Sequence, residues 1–375
     1  MKTGRIATAG FLGAVALVLA IILSPVLAGS DGRALAQTND RTVEEPSPQA
    51  GNVPGAHLGT ASDTEIWRAV RRGIQGTVSI PDKQAGQMIQ SEGDNWRAWR
   101  NGPVTVWGAW GLLIIIGLLA LFFVVRGRIR IDSGSSGRTV ERFNGTERFA
   151  HWLTAVSFIL LGLTGLNLLY GKHILLPALG PDAFSALTQA GKYVHNYVSF
   201  AFMLGIAMMF VLWVRDNIPN KSDLVWLAKG GGMLVKGVHP PAKKFNAGQK
   251  LIFWIVVLGG LSLSLSGISL LFPFELAMFA WTFDFLNIFG FGFADITPLG
   301  EMQLSQIWHA FVGLVMIVVI IAHIYIGSLG MEGAFDAMGT GEVDENWARE
   351  HHSLWFADLK GGAAPAPGSG AQPAE

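Results

Sequence analysis

Four histidines lie inside or at the edges of long apolar stretches: His151 in RFAHWLT, His195 in YVHNYV, and His309 and His323 in QIWHAFVGLVMIVVIIAHIYIG. An ionisable side chain at membrane depth is costly and is a functional candidate by default. A single histidine at a span edge is ordinarily an interfacial or hydrogen-bonded residue, so the pattern must carry the argument. His309 and His323 are fourteen residues apart, on a helix about 21 Å of rise and nearly a whole number of turns. One helix therefore offers two nitrogen ligands on one face, at two depths. The others sort by depth as well: His151 opens its stretch at the end where His323 lies, and His195 at the end where His309 lies. Two layers result, His151 with His323 and His195 with His309.

Two imidazoles from facing helices are the axial ligand set of a b-type haem iron. With both axial positions taken, such a site passes electrons and binds neither oxygen nor substrate. The layers predict two stacked, non-covalent haems b with bis-His ligation. Gly162, Gly165, Gly205, Gly259, Gly260 and Gly313 are the small residues expected to make room. His57, His173, His239, His351 and His352 fall in loops or tails and read as surface residues.

The elements that must position these ligands follow from composition. The chain has 375 residues, half hydrophobic and 14% charged, with a mean hydropathy of +0.40. That is the profile of an integral membrane protein. The formal net charge is zero, so no basic excess argues for nucleic acid. Cysteine is absent, which excludes disulfides, cysteine-held iron–sulfur clusters and covalent haem attachment in this chain.

Five stretches are long enough to cross about 30 Å of hydrocarbon: residues 105–125, 150–170, 193–214, 251–272 and 304–327. The expected fold is an all-α integral membrane protein. A four-helix haem-binding bundle, residues 150–330, is joined by one extra N-terminal transmembrane helix at 105–125. Segments 126–149 and 215–250 carry six and seven Lys/Arg, whereas 171–192 and 273–303 carry two and none. The positive-inside rule puts the basic segments in the cytoplasm. Residues 1–36 form a signal-like N-terminus, a cleaved peptide or an uncleaved anchor. Either puts 37–104 outside the cytoplasm, as a partly disordered periplasmic extension. Residues 331–375 form a cytoplasmic C-terminal tail. The outer loop 273–303 carries Phe274, Phe279, Trp281, Phe283, Phe285, Phe289, Phe291 and Phe293, an interfacial aromatic belt or a surface for a partner.

Five segments then carry a resemblance. ERFAHWLTAVSFILLGLTGL, HNYVSFAFMLGIAMMFVLWVRDNIP, KFNAGQKLIFW, QIWHAFVGLVMIVVIIAHIYIG and MEGAFDAMGTGEVDENWAREHHSLWF, in that order over about 140–357, resemble the membrane gamma subunit of respiratory formate dehydrogenase. The resemblance implies a b-type cytochrome of the bacterial inner membrane. It would pass electrons from a molybdenum or tungsten alpha subunit, through an iron–sulfur beta subunit, to quinone. It also implies that His151, His195, His309 and His323 are the haem ligands, the four that depth selects. Residues 1–140 have no counterpart in the family's compact form, and the role of the extension stays open.

The same resemblance places the quinone pocket at KFNAGQK, where Asn246 and Gln249 would bond a quinone carbonyl and Gly248 would let the ring approach. Read by itself, Asn246 is a helix N-cap before an apolar run. The two roles are compatible. No formate-oxidising site is expected in this chain. Cytochrome b subunits of hydrogenases and thiosulfate reductases use similar bundles and remain alternatives, as does a transporter with a histidine proton relay, although no internal repeat is visible.

Overall fold

The computed structural model describes residues 93–233 and 235–361. The signal-like segment 1–36, most of the extension and the end of the tail lie outside the described residues. Four helices among the described residues are long and apolar enough to cross a membrane.

The chain enters through α1 (Gly93–Trp99) and a π-turn, Arg100–Val104, that leads into α2 (Thr105–Arg126). Pro103 lies inside the π-turn. A proline here removes a backbone donor, and the wider turn accommodates it without ending the helix. Gly127, with φ of 69°, closes α2 in the left-handed region.

The longest element, α3 (Gly145–Trp213), has 69 residues, which if straight would run to about 100 Å. It does not run straight. Gly180, between Pro177 and Pro181, takes φ 77° and ψ 169°, and the second half folds back along the first. A β-carbon on Gly191 would lie 3.6 Å from Thr164, and one on Gly205 would collide with Thr154. The helix is thus a hairpin containing two apolar stretches, so four long helices present five. Sequence alone places a loop at 171–192, yet the chain stays helical on both sides of one glycine.

After α4 (Lys221–Ala228) come α5 (Ala247–Leu271), α6 (Met278–Asn287) and α7 (Pro298–Tyr325). Thr297 caps α7 and Pro298 opens it, a start that costs no hydrogen bond. Glu301, buried near the start of α7, accepts from the amides of Phe279 (2.7 Å) and Ala280 (2.9 Å). It so fixes the first turn of α6 to α7. Around α6, Phe283 stacks on Phe293 at 4.4 Å, while Phe274, Trp281, Phe285, Phe289 and Phe291 stay exposed.

Helix α7 packs against α5 and α2, and α3 against α5. The close approaches are made at glycine: a β-carbon on Gly108 would lie 2.5 Å from Leu314, one on Gly259 2.6 Å from the Met316 sulfur, and one on Gly260 2.8 Å from Ile206. Tight backbone approach of this kind is how helices associate where no hydrophobic driving force separates them from lipid.

At the basic end, the linker and the tail interlock. Strand β1 (Thr139–Glu141) pairs antiparallel with β2 (Glu342–Asp344), with Val140 opposite Val343. Ile129 bridges Met331 in parallel. Helix α9 (Glu345–His351), which follows the single turn α8 (Asp336–Gly339), is capped by Asp344, and α10 (Ser353–Leu359) follows it. Glu350 accepts from the amides of Asp132 (2.9 Å) and Ser133 (2.8 Å). Trp347, Val343, Phe356 and Phe143 fill the core.

This corrects one expectation. His352 is not a surface residue: it is fully buried, and its Nδ1 lies 2.7 Å from the Lys243 carbonyl. His351 is half-buried, its ring centre 5.2 Å from that of Trp347. The apolar residues Trp347, Trp355 and Phe356 around the pair draw a polar-looking tail into a core. His173 and His239 are exposed as expected, and His57 lies outside the described residues.

Two outcomes follow. Lys250 is buried with its Nζ 2.9 Å from Asp223 and 3.0 Å from the Ile218 carbonyl. Asp223→Ala leaves that ammonium unpaired and is expected to cost about 3–5 kcal/mol; the double variant Asp223→Ala/Lys250→Met should recover most of it in thermal melts. Burial, then the charges of His239 and Arg142, pull the His351 imidazole down to about 4, and burial with Arg142 holds His352 well below its ordinary range. A histidine depressed on folding stabilises the fold above its unfolded pKa and loses that contribution as pH falls. The melting temperature should therefore drop between about pH 6.5 and pH 4, and less so in His351→Phe.

Candidate functional site

The two halves of α3 and the single helix α7 carry the four histidines, and the structure brings them together in the two pairs expected. His151 and His323 have ring centres 6.3 Å apart, and His195 and His309 6.1 Å apart. A shared metal between two imidazoles sits about 2.0 Å from each nitrogen, and the nitrogen about 1.1 Å from its ring centre, so a bridged pair measures about 6.2 Å. Both pairs match.

Two ligands are too few for a metal held by protein alone. Among the described residues no group of three or more His, Cys, Asp or Glu is placed to hold a metal ion. The donor set fits a metal that brings its own equatorial ligands, as haem iron does.

The second layer around the His195/His309 pair fixes which nitrogen faces the partner. Thr164 Oγ1 donates to the Leu160 carbonyl at 2.8 Å, and it lies 2.8 Å from His195 Nδ1. Ser266 Oγ donates to the Ser262 carbonyl at 2.8 Å and lies 2.9 Å from His309 Nδ1. A hydroxyl has one hydrogen. With that hydrogen given to a carbonyl, the oxygen accepts, so each Nδ1 carries the proton and each Nε2 presents a bare lone pair. This is the arrangement a metal-ligating imidazole needs. His151 Nδ1, in the other pair, is buried with no protein partner.

Glycines open the ring edges. A β-carbon on Gly165 would stand 3.6 Å from His195 Cε1, and one on Gly267 3.4 Å from His309 Cε1. Of the small residues expected to make room, Gly205, Gly259 and Gly260 instead serve the helix crossings described above. Gly162 and Gly313 meet only ordinary contacts, at 3.7 Å and 3.9 Å. Sequence reasoning missed Thr164, Ser266 and Gly267. A serine or threonine in an apolar helix commonly bonds the preceding turn, so nothing in SLSLSGISLL singles out Ser266.

Asn246, Gly248 and Gln249 stand at the start of α5. Asn246 is the N-cap, accepting from the Gln249 amide at 2.9 Å, while Gln249 Oε1 accepts from the Asn246 amide at 3.1 Å. Arg142 Nη2 also donates to Gln249 Oε1, at 3.3 Å. Both side-chain oxygens are thus engaged, and the two NH2 groups remain as donors. Gly248 admits the Trp226 indole, which a β-carbon would meet at 2.8 Å.

Long apolar helices with imidazoles paired across them at two depths are the architecture of a membrane cytochrome b. The chain belongs to the prokaryotic cytochrome b561 family, whose model matches residues 142–341, and membership implies binding of b-type haem. The match includes all four histidines and the α5 start, and it leaves α2 outside. Among curated proteins the chain is similar to the cytochrome b556(Fdn) subunit of nitrate-inducible formate dehydrogenase from Escherichia coli K12. The two are 26% identical over 229 residues, which is 60% of this chain and 94% of the relative. The E. coli K12 formate dehydrogenase cytochrome b556(fdo) subunit is 26% identical over 223 residues, 59% of this chain and 94% of the relative. The formate dehydrogenase cytochrome b556 subunit of Haemophilus influenzae is 24% identical over 233 residues, 60% and 85%.

The second layer gives a direct test. Ser266→Ala or Thr164→Val removes the acceptor at Nδ1 and should weaken retention at the His195/His309 site about 10- to 100-fold. Transfer of haem to apomyoglobin, followed by absorbance, reads the loss; unchanged transfer in both variants would show the hydroxyls to be incidental.

Proposed function

We propose that this chain is the di-haem b cytochrome subunit of a membrane-bound formate dehydrogenase, carrying electrons from a partner iron–sulfur subunit to quinone. The carrying observation is the pair of imidazole separations, 6.3 Å and 6.1 Å, each the span of one shared metal. The formate dehydrogenase assignment is supported by the curated relatives, which are cytochrome subunits of that enzyme.

In this reading His195 and His309 would hold one haem, through the Nε2 atoms that their Nδ1 contacts leave free, and His151 and His323 would hold the other. Bound haem supplies a reversible one-electron iron couple. The helices contribute the rest. They would hold each haem between two imidazoles, and they set the two sites on one wall, α7, about 21 Å apart along the helix axis. The NH2 groups of Asn246 and Gln249 would donate to a quinone carbonyl, while the Trp226 indole takes the space over Gly248.

The positive-inside count puts the basic end, with 126–149, 215–250 and the C-terminal tail, on the cytoplasmic side of the bacterial inner membrane. The His195/His309 pair then faces the periplasm and receives electrons from the beta subunit, itself served by a molybdenum or tungsten alpha subunit. Helix α2 is an extra transmembrane helix beside the four of the haem bundle. Residues 37–104 would form a periplasmic extension behind a signal or anchor at 1–36. The bundle 150–330 is the catalytic complex's membrane wire, and formate is oxidised on the partner.

Pyridine haemochrome analysis of the purified chain should return two haems b, with a reduced-minus-oxidised spectrum to match. His309→Ala should return one. Two haems in that variant would overturn the pairing, and a colourless, folded wild type would favour a transporter with a histidine relay.

A further inference from the structure

Four buried side-chain nitrogens cluster where the C-terminal segment meets the start of α5, and none has a protein hydrogen-bond partner: Arg142 Nε, Trp347 Nε1, His351 Nε2 and His352 Nε2. They belong to groups in mutual contact. The Arg142 guanidinium lies 4.9 Å from the centre of the Trp347 ring, and that ring lies 5.2 Å from those of His351 and His352. Buried polar groups are rarely left single. Ordered water is the partner such a cluster takes, one molecule serving about three groups.

The cluster has two ends. At one, Arg142 reaches Gln249 Oε1 at 3.3 Å, the amide that faces quinone in the reading above. At the other, His351 lines a surface cavity with Arg130, Asp132 and His239. His239 Nε2 lies 3.0 Å from Asp132, and its ring centre 6.0 Å from that of His351.

The cluster offers both donors and an acceptor. A carbonyl only accepts, so the 2.7 Å contact of His352 Nδ1 with Lys243 puts the hydrogen on Nδ1 and leaves Nε2 as an acceptor. Arg142 Nε and Trp347 Nε1 present hydrogens. Burial, aided by the nearby guanidinium, keeps both histidines neutral at physiological pH. The charged groups facing the cluster are Arg142, Arg130, Asp132, His239 and Glu350, and Glu350 is already occupied by two backbone amides.

We propose that Arg142, Trp347, His351 and His352 hold a file of buried water that supplies protons to the quinone site at Gln249 from the surface cavity at Asp132 and His239. It rests on the quinone-reducing role proposed above. Each quinone takes two electrons, delivered through this chain, and two protons, and becomes quinol. The fixed charge of Arg142 disfavours hydronium in the file and favours the reverse flow. The reduced quinone takes a proton from the nearest water, and the deficit passes outward from water to water. At the cavity, bulk water supplies the proton that restores the file.

The test uses the whole complex, pre-reduced and mixed with a quinone analogue in H2O and in D2O, with haem reoxidation followed by stopped flow. His351→Phe and His352→Phe should keep full haem content. Both should reoxidise about tenfold or more slowly, with a larger solvent isotope effect and a steeper fall as pH rises. Full haem with the wild-type rate and isotope effect overturns the water file and leaves the quinone reading standing. A wild type that quinone does not reoxidise overturns both. Should the variants fail to assemble, a high-resolution structure of the wild-type complex decides. Ordered water on these four nitrogens supports the file, and a dry cluster overturns it.

Discussion

Thr164 and Ser266 each have one hydroxyl hydrogen, and each spends it on a carbonyl one turn back in its own helix. That expenditure turns both oxygens into acceptors and locks His195 and His309 in the Nδ1–H form. The consequence reaches through the fold. Each Nε2 then points away from the hydroxyl on α5 or on the first half of α3, and the two rings face each other across the gap. Helix α7 can serve both layers because fourteen residues return it to the same face. Among the described residues this lock is seen at the His195/His309 pair and not at the other, where His151 Nδ1 is buried without a protein partner.

The rest of the molecule holds those helices in register. Hydrocarbon gives no solvent-driven reason for helices to associate, so contact must come from shape. Gly205 against Thr154, Gly260 against Ile206 and Gly259 against Met316 bring the backbones together. At the basic end the polar chain does what lipid-facing helices cannot. Arg142 ties Lys244 and Gln249, Lys244 reaches Glu147 at 2.6 Å, and Lys250 pairs with Asp223. The β1–β2 pairing then joins the segment before α3 to the segment after α7. Both arms that carry His151 and His323 are anchored to one small core.

Much of this was legible in the sequence. The runs read at 105–125, 251–272 and 304–327 each coincide closely with one long apolar helix, and those at 150–170 and 193–214 fall in the two halves of α3, since a bilayer demands long uninterrupted runs. The depth sorting of histidines gave both pairs, because it needs only helical rise and a common axis. What sequence could not carry is equally physical. The turn at Gly180 hides in a helix that extends beyond the apolar runs, so a loop was expected across 171–192. Ser266 and Thr164 look like ordinary back-bonding residues until a ring nitrogen is seen beside them. His352 reads as part of a polar tail because its burial depends on partners about a hundred residues away, at Ala242 and Lys243.

The start of α5 shows how one motif meets two demands. An N-cap asparagine and a glutamine three residues on satisfy each other's backbone amides through their oxygens. Arg142 takes a further lone pair of Gln249. Both lone pairs of Gln249 Oε1 and one of Asn246 Oδ1 are thereby directed at the protein, and the two NH2 groups are left as donors. A quinone carbonyl can only accept. The cap therefore does not compete with the proposed ligand: it uses amide oxygens and leaves the NH2 hydrogens that such a carbonyl would take.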